Sequence, residues 1–130
     1  MTSAARRLRD FVLARPMTFT TEAELQEVLA ARLWDEALIG HPLTGYSREV
    51  RLDERNRIDF LVELDEAITV GVEVKIAGSL ASVRRQLERY AADDRVHQLL
   101  LITTKAQHHH ISPTIGGKPV VLCSLIGDAL

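Results

Sequence analysis

Two oppositely charged residues, Glu73 and Lys75, lie two positions apart within the run from Ile68 to Ile76. The even-numbered residues of this run are all apolar, and this period of two is typical of a β-strand. Because successive side chains of a strand point to opposite faces, Glu73 and Lys75 are expected to project side by side. The carboxylate is a hard oxygen ligand of the kind that binds divalent cations such as Mg²⁺.

A second carboxylate, Asp59, lies in the preceding run of alternating apolar residues. The three-residue loop 65–67 between the runs would pair Leu64 with Ile68, and this register sets Asp59 opposite Glu73. Like charges that face each other destabilise a strand pair by about 0.2–1 kcal/mol. A compensating cation is therefore expected, and hard oxygen ligands suit Mg²⁺ or Mn²⁺.

A third carboxylate, Glu22, belongs to a predicted helix that begins with a capping box at Thr21. At 100° per residue, Leu25, Leu29 and Leu33 define the buried seam of this helix, and Glu22 lies in the same direction. Glu22 is therefore expected to face the sheet. The alternative interpretation is that Glu22 is only a first-turn residue favoured by the helix dipole.

The elements that must position these residues are predicted from periodicity and from turn residues. Helices are predicted at 4–15, 21–39 and 79–93, the first of them basic, with a loop around Gly40, Pro42 and Gly45 after the second. Strands are predicted at 48–52, 57–64, 68–76, 97–104 and 118–126. This order predicts an α/β fold with a mixed sheet flanked by helices, and a single domain whose core spans about residues 20–126.

The composition of the 130 residues is that of one globular domain, with 46% hydrophobic and 26% charged residues. The net charge of −2 argues weakly against a nucleic-acid partner. Cys123 is the only cysteine, so no intrachain disulfide is expected and a reducing, cytoplasmic location is predicted. No run approaches the roughly eighteen apolar residues of a membrane span, so no membrane partner is expected.

The three carboxylates and the lysine resemble the E…D…ExK signature of the PD-(D/E)XK nucleases, the restriction-endonuclease-like superfamily. Glu22 is similar to the glutamate of the early helix and Asp59 to the aspartate, whereas Glu73, Val74 and Lys75 form the ExK element. The resemblance implies metal-assisted phosphodiester hydrolysis with Mg²⁺ or Mn²⁺, with DNA as the expected substrate. It also implies an αβββαβ core.

The resemblance extends from about residue 20 to residue 104. Gln86 and Tyr90 form Q-x-x-x-Y, similar to the motif that follows ExK in RecB-like members. The segment 21–26, TEAELQ, is similar to the opening helix of archaeal junction resolvases and VRR-type nucleases. One departure is that Ile58, and not proline, precedes the aspartate.

The resemblance implies a role for each residue of the site. Asp59 and Glu73, with the backbone carbonyl of Val74, would hold the metal, and Glu22 would position a metal-bound water or a second ion. Lys75 would lie near the attacking water and the phosphate. The candidate catalytic residues are thus Glu22, Asp59, Glu73, Lys75 and Gln86. The alternative for the strand residues is a hairpin with a cross-strand ion pair.

Gln86 and Tyr90 are expected to contact the nucleic-acid backbone or to brace Lys75. The alternative is a hydrogen-bonding residue at the helix edge and a partly buried aromatic ring. Arginine side chains suit phosphate because their fork binds two oxygens, and the candidate nucleic-acid-binding residues are Tyr90, Arg84, Arg85, Arg89 and Arg57. Because acidic residues are interspersed with them, a solvated surface of paired charges is the alternative for most of these arginines.

Several other features have simpler interpretations. Residues 108–110 are three consecutive histidines, predicted to form a flexible loop with adventitious metal affinity, because no spaced cysteine or histidine pair accompanies them. Trp34, Phe60 and Cys123 are predicted to be buried.

Two alternative functions remain open from the sequence. The first keeps the fold and makes the chain a catalytically inactive nucleic-acid-binding or assembly module. The second is an interaction protein that dimerises through a sheet edge or through the N-terminal helix. Because no dedicated DNA-reading domain is predicted, sequence specificity would have to come from a homodimer or from a partner protein.

Overall fold

Alternating apolar residues form a six-stranded mixed sheet. The computed structural model describes residues 3–39, 43–64 and 67–125, apart from the side chains of 36–39 and 43. The helices are α1 (Ala4–Leu13), α2 (Glu22–Ile39) and α3 (Leu80–Ala91). The strands are β1 (Leu43–Arg51), β2 (Arg57–Leu64), β3 (Ile68–Lys75), β4 (Gln98–Thr103), β5 (Thr114–Ile115) and β6 (Lys118–Ser124), with a 3-10 helix at Ala106–His110.

The strands lie in the order β1-β2-β3-β4-β6-β5. β1, β2 and β3 form an antiparallel meander, whereas β3, β4 and β6 run parallel, and β5 pairs antiparallel with β6. The chain returns to the sheet through α3 after β3 and through the 3-10 helix after β4. The predicted mixed α/β sheet flanked by helices is confirmed.

The predicted register of β2 and β3 is confirmed, because Leu64 pairs with Ile68 and the ladder continues to Phe60 and Val72. Ala67 has a left-handed backbone with φ 61°, as is common at the last position of a three-residue hairpin loop. The other two loop residues, 65 and 66, lie outside the described residues. This register directs the next residue of β2, Asp59, towards the carboxyl end of β3.

The sheet separates two buried layers. On one face, α1 and α2 pack on Phe60, Val62 and Leu64 of β2 and on even-numbered residues of β3. On the other face, α3 packs with Ile58 and with odd-numbered residues of β4. Ile58 was predicted to share a face with Phe60, and this prediction is wrong, because the alternation of β2 breaks between them, at Asp59.

Side chains fix the ends of the helices. The Thr21 hydroxyl accepts a hydrogen bond from the Glu24 amide at 3.1 Å, as the predicted capping box requires. Ser79 caps α3 by accepting from the Ser82 amide at 3.1 Å. The Arg32 guanidinium donates to three carbonyl oxygens, those of Val12, Arg15 and Pro16, and so fastens the end of α1 to α2.

The elements differ from the predicted ones in a few places. β1 begins at Leu43 and so includes Gly45 of the predicted loop, whereas Gly40, Pro42 and the predicted strand end at residue 126 lie outside the described residues. β5 and the 3-10 helix were not predicted. None of the described helices is both long enough and apolar enough to span a membrane.

The prediction that Trp34 is buried is wrong, because its side chain is 56% exposed. Trp34 follows the buried Leu33 by one residue, which turns it by about 100° away from the packed seam of α2. Phe60 and Cys123 are buried as predicted.

Candidate functional site

Asp59 lies where β2 and β3 separate. The paired ladder ends at Phe60 and Val72, and beyond it the Asp59 Oδ2 atom accepts a hydrogen bond of 2.8 Å from the Val74 amide. Because the N–H and C=O of one strand residue point to the same side, the Val74 carbonyl is also directed towards β2. The separation of the strands thus places a carboxylate and a backbone carbonyl at one gap.

Glu73 lies beside this gap and is almost entirely buried, with 2% exposure. Its Oε1 atom is buried and makes no hydrogen bond within the described part of the chain. Burial, followed by repulsion from the Asp59 carboxylate, raises the pKa of Glu73 to about 8, although Lys75 opposes the shift. Burial also raises the pKa of Asp59, and the charge of Glu22 adds to this. The two carboxyl groups therefore resist carrying two negative charges together.

Lys75 supplies a positive charge within the site. Its Nζ atom lies 3.2 Å from Glu73 Oε2, so the predicted side-by-side placement is confirmed. The backbone of Lys75 is held on the β4 side, where it pairs with Thr103 and its carbonyl accepts from the Thr104 amide at 3.3 Å. The ammonium group is therefore attached to a fixed strand end.

Glu22 approaches the same strand end from the first turn of α2. Its Oε1 atom accepts a hydrogen bond of 3.4 Å from the Ile76 amide, and its charge acts on Asp59. The expectation that Glu22 faces the sheet is confirmed. Its carboxylate is engaged with the backbone one residue after Lys75.

The carboxylates of the site are possible ligands for a metal ion. Within residues 3–39, 43–64 and 67–125, no three Asp, Glu, His or Cys side chains are arranged so that they could hold a metal ion together. Mg²⁺ often binds through one or two protein carboxylates and keeps several waters. Asp59 and Glu73 fit this requirement as a pair, because Glu73 Oε1 is buried without a partner and the two groups repel each other.

Tyr90 is a buried residue of α3, with 1% exposure, and its hydroxyl donates to the Arg57 carbonyl at 2.9 Å. The prediction that Tyr90 lies on a nucleic-acid-binding surface is therefore wrong. Burial, then the charges of Glu73 and Asp59, raises the pKa of the Tyr90 hydroxyl. Tyr90 thus packs beside the carboxylates and holds the start of β2. The signal for its burial was its spacing from Val83 and Leu87, which matches the apolar stripe of α3.

Gln86 is half-buried on α3 and makes no hydrogen bond among the described residues. No hydrogen bond joins Gln86 to Lys75 among the described residues, so the expected bracing role is not seen.

The four candidate arginines are all exposed, as a nucleic-acid contact requires. Arg84 pairs with Glu88 at 3.2 Å, and Arg89 donates to Asn56 at 2.9 Å. Arg57 and Arg85 make no ion pair within the described residues. The alternative of paired surface charges therefore applies to Arg84, whereas Arg57 and Arg85 remain available to an anion.

The prediction that the consecutive histidines form a flexible loop is wrong. They lie in the 3-10 helix and not in a flexible loop, and His108 is fully buried with 0% exposure. His108 Nδ1 lies 2.6 Å from Thr103 Oγ1, and Nε2 lies 2.8 Å from the Gly78 carbonyl. Nothing in the local sequence indicates this burial, because it depends on the turn between β3 and α3.

The comparisons with known proteins add no assignment. No family model matches the sequence, and no curated protein matches it. The geometry of the site is therefore the basis for any functional interpretation.

Proposed function

We propose that this protein is a Mg²⁺- or Mn²⁺-dependent nuclease of the restriction-endonuclease-like PD-(D/E)XK fold, hydrolysing phosphodiester bonds in DNA. One observation carries the proposal: Glu73 is buried beside Asp59 and 3.2 Å from the Lys75 ammonium, and one of its oxygens has no hydrogen-bond partner in the described part of the chain. An arrangement of strongly perturbed acids beside a cation is more typical of a functional site than of a structural hairpin. The order α2, β1, β2, β3, α3, β4 is consistent with an αβββαβ core.

Each residue of the site has its own role in the proposed reaction. Asp59, Glu73 and the Val74 carbonyl would hold the metal, which when bound supplies a Lewis acid and lowers the pKa of a coordinated water. Lys75 would stabilise the negative charge that develops on the phosphate and orient the attacking water. Glu22, held by the Ile76 amide, would accept a hydrogen bond from water on the open side of the site.

The test is direct cleavage. The purified protein is incubated with single-stranded, duplex and branched DNA, and with RNA, in Mg²⁺ or Mn²⁺, alongside Lys75→Ala and an EDTA control. We expect metal-dependent cleavage of at least one DNA by the wild type and none by the variant. Absence of cleavage with either metal on every DNA would reject the proposal, and cleavage of RNA alone would correct the substrate.

A catalytically inactive nucleic-acid-binding or assembly module is the second candidate. The observation that favours it is the ion pair between Lys75 and Glu73, which neutralises one carboxylate without a metal. This candidate predicts DNA binding that is unchanged by EDTA and by Asp59→Ala. In either case we propose that a second copy or a partner protein supplies sequence specificity, because no dedicated DNA-reading domain is predicted from the sequence.

A further inference from the structure

His108 is a buried residue with a partner on each ring nitrogen. Its Nδ1 lies 2.6 Å from Thr103 Oγ1 and its Nε2 lies 2.8 Å from the Gly78 carbonyl. Thr103 ends β4 and pairs with Lys75 across the parallel ladder. The imidazole therefore connects the strand beside the candidate site with the turn that leaves it.

One partner shows that Nε2 of this histidine is a donor. A carbonyl oxygen can only accept, so Nε2 carries the hydrogen that is donated to Gly78. Thr103 Oγ1 accepts from the Lys105 amide at 3.0 Å, and its own hydroxyl hydrogen can be donated to Nδ1. Every polar atom of the His108 and Thr103 side chains thus has a partner.

The turn at residues 76–79 depends on this connection. Ile76 donates its amide to Glu22, Gly78 has a left-handed backbone with φ 97°, and Ser79 caps α3. The Gly78 side of the turn is exposed, and an added Cβ there would meet no atom within 4 Å. The hydrogen bond from His108 is therefore the contact by which we expect Gly78 to be held, and Gly78 makes no other hydrogen bond among the described residues.

We propose that His108 is a positioning residue for the carboxylate and lysine site. By holding Gly78, it fixes the turn that follows Lys75 and so keeps the ammonium group against Glu73 and the Ile76 amide against Glu22. The expected effect of His108 on cleavage rests on the proposed nuclease function. The expected effect of His108 on the turn rests on the hydrogen bonds alone. Misplacement of catalytic groups by about 1 Å can cost about a hundredfold in rate.

Two substitutions separate the two sides of the ring. In His108→Gln the amide nitrogen occupies the place of Nε2 and can still donate to Gly78. In His108→Asn the side chain reaches only the Nδ1 position, so it retains the partner for Thr103 and loses Gly78. We expect kcat to fall by about tenfold or more for His108→Asn, with little change in KM, and His108→Gln to restore most of it.

A second measurement does not need activity. Hydrogen exchange of the amides in residues 76–79 is expected to be faster in His108→Asn than in the wild type, and near the wild-type rate in His108→Gln. Thr103→Val, which removes the hydroxyl partner and keeps the shape, is the control for loss of buried hydrogen bonding. Melting temperatures are measured for all variants, so that rates are compared only among folded proteins.

The outcomes distinguish the two hypotheses. If the wild type cleaves no DNA, the proposed function fails, and the exchange measurement alone decides whether His108 holds the turn. If exchange of the turn is the same in His108→Asn as in the wild type, the inference is overturned whatever the activity. Faster exchange with unchanged kcat would also overturn the positioning role. Equal loss of kcat in His108→Gln and His108→Asn would show a packing effect and overturn it likewise.

Discussion

The Asp59 carboxylate accepts a hydrogen bond of 2.8 Å from the Val74 amide at the point where the β2–β3 ladder ends. The Asp59 side chain thus takes the place of the backbone acceptor that the Val74 amide would have had if the ladder had continued. Only its Oδ2 atom is used in this bond, which leaves Oδ1 as the oxygen for an external ligand. The same residue therefore serves the fold with one oxygen and the proposed metal with the other.

Asp59→Asn and Asp59→Ala are expected to differ in stability and agree in metal response. The asparagine retains an oxygen for the Val74 amide, whereas alanine leaves that amide without an acceptor, which costs about 1–3 kcal/mol. Mn²⁺ is expected to raise the melting temperature of the wild type by binding linkage and of neither variant. Thermal unfolding with and without Mn²⁺ measures both effects. Asp94→Ala, at an exposed residue, is the control, and an equal Mn²⁺ response in all proteins would contradict the site.

Lys75→Met is expected to lower the cleavage rate by at least about a hundredfold, the usual contribution of a positioned acid, base or charge. The substitution keeps the length of the side chain and removes the charge that lies 3.2 Å from Glu73. Single-turnover cleavage measures the rate, and the melting temperature shows whether the fold persists. Arg15→Met removes an exposed charge elsewhere and should cleave as the wild type does. Full activity of Lys75→Met would exclude a catalytic role for the lysine.

Glu73→Gln is expected to flatten the dependence of stability on pH. The pKa of Glu73 is raised from 4.5 to about 8, so between these values the folded protein holds a proton that the unfolded chain has lost. The contribution of Glu73 to the free energy of unfolding of the wild type is therefore largest below about pH 4.5. This contribution is lost as the pH rises to about 8. Glutamine has no proton to lose.

Urea unfolding at pH 5.5, 7 and 8.5 in EDTA measures this dependence. Glu73→Gln should be more stable than the wild type at pH 8.5, with a smaller difference at pH 5.5. Some slope remains, because the pKa of Asp59 is also raised. Glu54→Gln, at an exposed position, should follow the wild type, and parallel pH profiles of Glu73→Gln and the wild type would contradict the pKa shift.

Gly71→Ala is expected to destabilise the protein. An added Cβ would lie 2.6 Å from Ile58 Cδ1, 3.2 Å from Val96 and 3.3 Å from Leu99, all fully buried. Overpacking of a core typically costs about 1–3 kcal/mol, which exceeds the about 0.5–1 kcal/mol gained when alanine replaces glycine in a strand. Denaturant unfolding measures the difference. Gly45→Ala, with no atom nearer than 3.9 Å, is the matched control, and equal effects of the two substitutions would refute the steric argument.

Arg57→Ala and Arg85→Ala are expected to weaken DNA binding more than Arg84→Ala does. Arg84 is already paired with Glu88, whereas Arg57 and Arg85 have no ion pair among the described residues. Each lost phosphate contact should reduce the slope of log affinity against log salt by about 0.7–0.9. Binding titrations at several salt concentrations test this, with Ca²⁺ in place of Mg²⁺. A larger effect of Arg84→Ala would place the DNA on the other side of α3.

The sequence predicted the strand register and could not predict where the strands separate. The length of the 65–67 loop was enough to pair Leu64 with Ile68, because a short loop permits few registers. Ile58 and Phe60 pack in different layers and the β2–β3 ladder ends at Phe60, and periodicity does not encode this break in alternation. For this reason Asp59 was predicted to face Glu73, whereas its bond with the Val74 amide was not expected.

Two residues show where side-chain patterns fail. Tyr90 was predicted to contact nucleic acid because it belongs to Q-x-x-x-Y, although its spacing matched the buried stripe. The Arg57 carbonyl accepts the hydrogen of its hydroxyl. His108 is buried through partners that are distant in sequence, Gly78 above all, so no local pattern could identify it. In both cases a polar group is buried because a backbone carbonyl accepts its hydrogen.

The antiparallel connection of β2 to β3 also has a consequence for the order of folding. Asp59 and Glu73 are joined by a local hairpin, and such hairpins form within about 1–10 μs. The parallel pairing of β4 with β3 closes a longer loop, through α3, and is expected to follow. We therefore expect the two carboxylates to meet while still hydrated and ionised. Docking of α3 would then bury Glu73, so that proton uptake accompanies one of the last steps of folding.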